Sequence, residues 1–95
     1  MEQTAGKPEL SEREGKVLQV VRERWPISAI EVAAQLNENI SSRENKKKHS
    51  TNYTYYLKKL VRKRLILSKR IGNALIVWPL EVEAYRAIQK ILQEA

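Results

Sequence analysis

The chain has 95 residues, 42% of them hydrophobic and 31% charged, with a formal net charge of +7. This is enough for one domain around one modest core, and too apolar for a disordered chain. Without cysteine there is no disulfide framework and no thiolate metal site, and no apolar run approaches the ~20 residues of a membrane-spanning helix.

The charge is unevenly placed. Residues 38–70 hold eleven Lys or Arg against two Glu, and the remainder of the chain is slightly acidic. A cation excess confined to one third of a chain is the footprint of a polyanion partner, and the plainer reading is a solvated basic surface.

In chain order, residues 1–9 lack periodicity, contain Gly6 and Pro8, and read as a mobile arm. They have no apolar stretch of the signal-peptide kind, so a cytoplasmic protein is expected. Ser11 and Glu14 have capping-box spacing. Val17, Leu18, Val21 and Trp25 follow at helical spacing, with Gly15 a slight weakness. Pro26 ends this first helix, because the residue before a proline avoids the helical region.

Ser28 and Glu31 form a second capping box, opening the short helix "AIEVAAQLN" with Ile30, Ala33 and Leu36 on one side. Asn37 is a plausible stop, and Ile27 could join a short strand. Residues 38–50 have almost no apolar content beyond Ile40 and read as a long loop with at most one helical turn. A third helix is expected from Thr51 to about Arg64, with Tyr53, Leu57, Leu60 and Val61 towards a core. Residues 65–69 and 74–78 read as strands joined at Gly72-Asn73, a tight hairpin turn. Pro79 fits the first turn of a last helix, over residues 80–94.

The order is helix, short strand, helix, helix, strand, strand, helix, with a basic third helix running into a hairpin. It resembles the winged helix-turn-helix fold. "TNYTYYLKKLVRKRLI" is similar to the family's pattern of a polar start, an apolar residue and L-x-x-L-x-x-x-G-L-I. Tyr53 takes the apolar position, Leu57 and Leu60 the leucines, and Leu65-Ile66 the strand entry. Arg64 stands where the family has glycine, and the second turn is longer than usual. The likeness covers residues 11–78, and with the last helix it extends to small PadR-like, MarR-like and BlaI-like DNA-binding dimers. It implies an α+β chain, mainly α with a small β-hairpin. Residues 1–9 would be an arm, 10–79 a winged-helix domain and 80–95 a dimerisation helix.

The resemblance puts the outer face of the third helix in a DNA major groove. Asn52 suits an adenine edge and Arg62 a guanine edge or a phosphate. Tyr55 suits a thymine methyl or a phosphate, and Thr51, Lys58 and Lys59 complete the face. Lys69, Arg70 and Asn73 at the hairpin tip would meet the adjacent minor groove or phosphates. Lys46, Lys47 and Lys48 would lie along phosphates or add only counterion release. Ser28 is chiefly a cap, at a helix start suited to a phosphate. Against these stand plainer readings: a solvated helix face, and a hairpin that only closes the core. The absence of any acid between Thr51 and Arg64 favours the first set. His49 reads as an exposed loop residue.

No P-loop, dinucleotide fingerprint or nucleophile elbow is present, so no enzyme, cofactor or metal is expected. Ala84, Tyr85, Ile88, Ile91 and Leu92 form an apolar stripe on the last helix that suits a dimer interface. The expectation is a homodimer binding an inverted-repeat site on double-stranded DNA, a transcriptional repressor associated with the nucleoid. No small-molecule ligand and no membrane is expected. Alternatives are a plasmid-partition or nucleoid-organising protein that coats DNA, and an RNA-binding or protein-interaction module.

Overall fold

The computed structural model describes residues 9–94, in four helices and one three-stranded antiparallel sheet. Residues 1–8 of the expected arm lie outside the described residues. Glu9, its last residue, is held: its carbonyl accepts a bond of 2.7 Å from Lys63 Nζ.

Helix α1 (Glu12–Arg24) starts at Ser11 with both halves of the capping box formed. It buries Val17, Leu18, Val20 and Val21, whereas Trp25 caps its end and stays 43% exposed rather than joining the apolar face. Strand β1 (Ile27–Ser28) follows, then α2 (Ala29–Gln35) with its own capping box at Ser28. The face that α2 buries is Ala29, Val32 and Ala33. Ile30 and Leu36 sit at its margin, so the core side is rotated from the expected one.

Helix α2 ends at Gln35 with Leu36 as its cap, and Asn37, the expected stop, follows with a left-handed φ of 67°. The N–H of Asn37 bonds the carbonyl of Ala34 and that of Glu38 the carbonyl of Ala33, a Schellman closure.

The expected loop over residues 38–50 is mostly helix. α3 (Arg43–Arg62) begins eight residues before Thr51, with the Ser42 hydroxyl accepting from the Asn45 N–H. This first stretch has good helix formers and Glu44 in its first turn, but it projects beyond the core. No apolar period marks it, because its residues are polar and none of them is buried. Farther along, Tyr53, Leu57 and Leu60 are buried against α1 and α2, with Val61 half-buried.

Helix α3 closes by a second Schellman motif: Arg64 N–H to Val61 carbonyl and Leu65 N–H to Leu60 carbonyl. Arg64 holds a φ of 62°, the conformation glycine adopts most cheaply. The chain thus makes the turn that a glycine would make, with an arginine.

Strands β2 (Ile66–Ile71) and β3 (Ala74–Pro79) pair from Ile66–Pro79 to Ile71–Ala74 across a two-residue turn, where Gly72 has φ 61°. β1 pairs on the other edge of β3, giving the order β1-β3-β2. Pro79 is the buried last residue of β3, not the first turn of a helix; the sheet claims it because its missing N–H sits at a strand end. α4 (Leu80–Glu94) then leaves the body with no buried residue. Among the described residues no helix is long and apolar enough to cross a membrane.

Candidate nucleic-acid interface

The buried stripe of Tyr53, Leu57 and Leu60 fixes how α3 is rotated about its axis. Thr51, Tyr55, Lys58 and Arg62 recur three or four residues apart on the side facing away from that stripe, and all four are exposed. The longer helix adds Lys47 one turn before Thr51 on the same line, with Lys46 and Lys48 beside it, also exposed. Asn52 is turned off this line and borders a shallow depression with Glu44, Lys47, Lys48 and Thr51.

Strand alternation separates Lys69 from Arg70. Directly paired residues of an antiparallel ladder share a face, so Arg70 and Leu75 lie on the same face as Ile66, Pro79, Ser68 and Val77. That is the core face, and beyond the core's edge it looks back towards α3. Lys69 lies on the other face, with Ile76 opposite it.

Between α3 and the hairpin runs an open cleft in two adjoining parts. One, of about 320 Å³, has Ser28, Ala29 and Ile30 together with Ser50, Thr54, Arg70, Asn73 and Leu75 in its lining. The other, of about 380 Å³, shares Ser50, Thr54, Arg70 and Asn73 and adds Thr51, Tyr55 and Lys58. Hydroxyls, an amide and two cations line the cleft, and no carboxylate does. The Arg70 guanidinium donates to the Asn73 carbonyl at 3.4 Å, which steadies it at the turn. Ser28 is buried, with its hydroxyl committed to Glu31. Ser50 and Thr54 had no place among the expected contacts. Their positions follow once α3 starts at Arg43 and its flank is seen to face the hairpin.

Lys59 sits differently from Lys58. Its Nζ lies 2.9 Å from Glu14 Oε2, and Lys63 Nζ lies 2.9 Å from Glu14 Oε1. Oε1 also accepts the Ser11 N–H at 3.0 Å. Glu14 is 2% exposed. The bonds from Lys59, Ser11 and Lys63 outweigh burial and hold the Glu14 carboxyl down at about 2, and the same contact pushes the Lys59 ammonium up. In the sequence Glu14 is legible only as a cap; its lysines stand 45 and more residues away, where no local signal links them. Among the described residues no carboxylate pairs with Lys46, Lys47, Lys48, Lys58, Arg62, Lys69 or Arg70.

A second polar cluster ties the start of α3 to the body. Tyr53 donates to Glu38 Oε2 at 2.6 Å and accepts from Arg13 Nη1 at 2.9 Å. His49, on α3 rather than in a loop, has Nε2 3.8 Å from Glu38 Oε1 and a side chain only 17% exposed. Burial, then the bond to Glu38, pushes the Tyr53 phenol up to about 12. Tyr55 is 57% exposed, its ring edge-on to Tyr56 at 5.8 Å.

No family model, curated protein or solved structure matches this chain.

Proposed function

We propose that this chain binds double-stranded DNA in the winged helix-turn-helix manner, with α3 in the major groove and the β2–β3 hairpin beside it. The observation that carries the reading is the carboxylate-free cleft between the two, lined by Thr51, Tyr55, Lys58, Arg70 and Asn73. A phosphate backbone fits such a cleft, because it offers charge for the cations and acceptors for the hydroxyls. A helix about 10–12 Å across matches the ~12 Å major groove of B-form DNA. An RNA duplex has a major groove too narrow to admit it.

The tyrosines favour the same partner. Single-strand binders stack bases on aromatic platforms, whereas on α3 Tyr53 is buried, Tyr56 is half-buried and Tyr55 alone of the three is well exposed. Arg62 and Tyr55 read bases in this account, Lys47 and Lys58 grip phosphates, and Arg70 reaches the flanking groove.

Helix α4 supplies the second half of the reading. Tyr85, Ile88, Ile91 and Leu92 are 54–65% exposed, and a second copy of the chain is the cover we propose. Two-fold pairing then sets two α3 helices in successive major grooves about 34–36 Å apart, on an inverted repeat. A cytoplasmic repressor is the role this chemistry suits; coating DNA for partition or nucleoid organisation would use the same contacts.

The test is competition among duplex DNA, single-stranded DNA and RNA over a salt series. Duplex DNA should win, with log K falling against log salt at about −0.9 per phosphate contact and roughly 6–10 contacts per dimer. Arg62→Ala should relax sequence preference, costing about 1–3 kcal/mol on the best site. Lys47→Ala should weaken all sequences alike. A flat salt response, or RNA outcompeting duplex, contradicts the reading.

A further inference from the structure

Two lysines adjacent in sequence meet different fates. Lys58 is exposed and lines the cleft. Lys59, one position on, is turned about 100° around the helix and reaches α1, where its ammonium meets Glu14. Glu14 is no passing neighbour. The Ser11 N–H fixes Oε1 at 3.0 Å as part of the α1 capping box, so the carboxylate is positioned by its own helix before α3 packs against it. Lys63 makes a second tether, and is itself held by the Glu9 carbonyl at 2.7 Å.

The Lys59 ammonium also stands 5.3 Å from the centre of the Tyr55 ring. Tyr55 belongs to the outward line of α3. A released Lys59 would therefore have a duplex phosphate within reach of its four-carbon stem.

We propose that Glu14 is a positioning residue that withdraws Lys59 from the DNA-contacting set, holding down sequence-independent affinity. The inference rests on the DNA-binding reading above. Phosphate contacts add affinity on every sequence alike, so each extra one raises binding to non-target DNA as much as to target. An acid beside the base-reading line removes one such contact at a place where base contacts are already available. The specificity ratio then depends more on Arg62 and Tyr55.

The experiment measures binding of the full chain to a non-specific duplex over a salt series, with circular dichroism to confirm folding. Glu14→Gln keeps the shape and the acceptor for Ser11 but drops the charge. It should steepen the log K against log salt slope by about 0.9 per protomer, tightening low-salt binding several-fold. Glu14→Gln combined with Lys59→Gln should return the slope to that of the unaltered chain. Lys59→Gln alone should leave the slope unchanged, while Lys58→Gln should lower it by about 0.9. If Glu14→Gln does not fold, the two lysine variants decide. A slope that falls with Lys59→Gln as it does with Lys58→Gln, or a folded Glu14→Gln with an unaltered slope, overturns the role of Glu14 alone. A flat slope for the unaltered chain overturns the DNA-binding reading instead.

Discussion

Helices α1 and α4 both carry an apolar stripe in their sequences, but they use it differently. α1 buries Val17, Leu18, Val20 and Val21 against the rest of the chain, whereas α4 buries nothing. α4 is tied to the body by polar contacts at its start: Trp78 Nε1 donates to Glu83 at 3.0 Å, and Arg22 meets Glu81 at 3.3 Å. Amphipathicity says that a face needs cover; it does not say which molecule supplies it. In α1 the cover is α2, α3 and β3, reached within one chain. In α4 the stripe stays open along its length.

The largest effect that sharpens this contrast is a matched pair of truncations followed by urea unfolding. Leu18→Ala should cost about 2–5 kcal/mol at any protein concentration, through lost burial and the cavity left behind. Leu92→Ala should cost under about 0.5 kcal/mol in dilute protein and progressively more as concentration rises. Equal costs at every concentration would place α4 in the core and break the contrast.

A second contrast lies in charge. The carboxylate of Glu14 is anchored between α1 and α3, whereas the acids of α4 are at least partly solvated. The folded-state pKa of Glu14, about 2, lies below its ordinary value of 4.5. Its contribution is therefore present above pH 4.5 and lost as pH falls from there towards 2. Tyr53 has the opposite sign: raised from 10.0 to about 12, it stabilises the fold below pH 10 and loses that contribution as pH climbs to 12. Unfolding midpoints across pH should decline at both ends. Glu14→Gln should flatten the acid limb and Tyr53→Phe the alkaline one.

How much of this was legible depended on whether the signal was local. Both capping boxes, the Gly72-Asn73 turn and the Tyr53-Leu57-Leu60 stripe lie within a few residues of chain and could be read directly. The first turns of α3 could not. Helical periodicity is the imprint of a core, and residues 43–50 are polar with none of them buried, so only Ser42 and good propensity marked them. Glu14 with Lys59 and Lys63, and Arg13 with Tyr53, are contacts across 40 or more positions that only packing creates. The split of Lys69 from Arg70 was readable from strand alternation once the register at Val77 was known.

The smallest effect concerns the exit from α3. Arg64 occupies a left-handed conformation that disfavours a side chain, so Arg64→Gly should raise stability by about 0.5–1 kcal/mol without altering α4. A loss instead would show that the arginine side chain does more at that turn than close the helix.

The central claim is that α3 and the hairpin form one nucleic-acid surface. Amide chemical-shift changes on adding a duplex to the isotope-labelled chain test it most directly. The expected changes cluster at Lys47, Thr51, Thr54, Tyr55, Lys58 and Arg62 and at Arg70 to Asn73, and fade with added salt. Changes confined to α4, or none at all at low salt, would contradict the account.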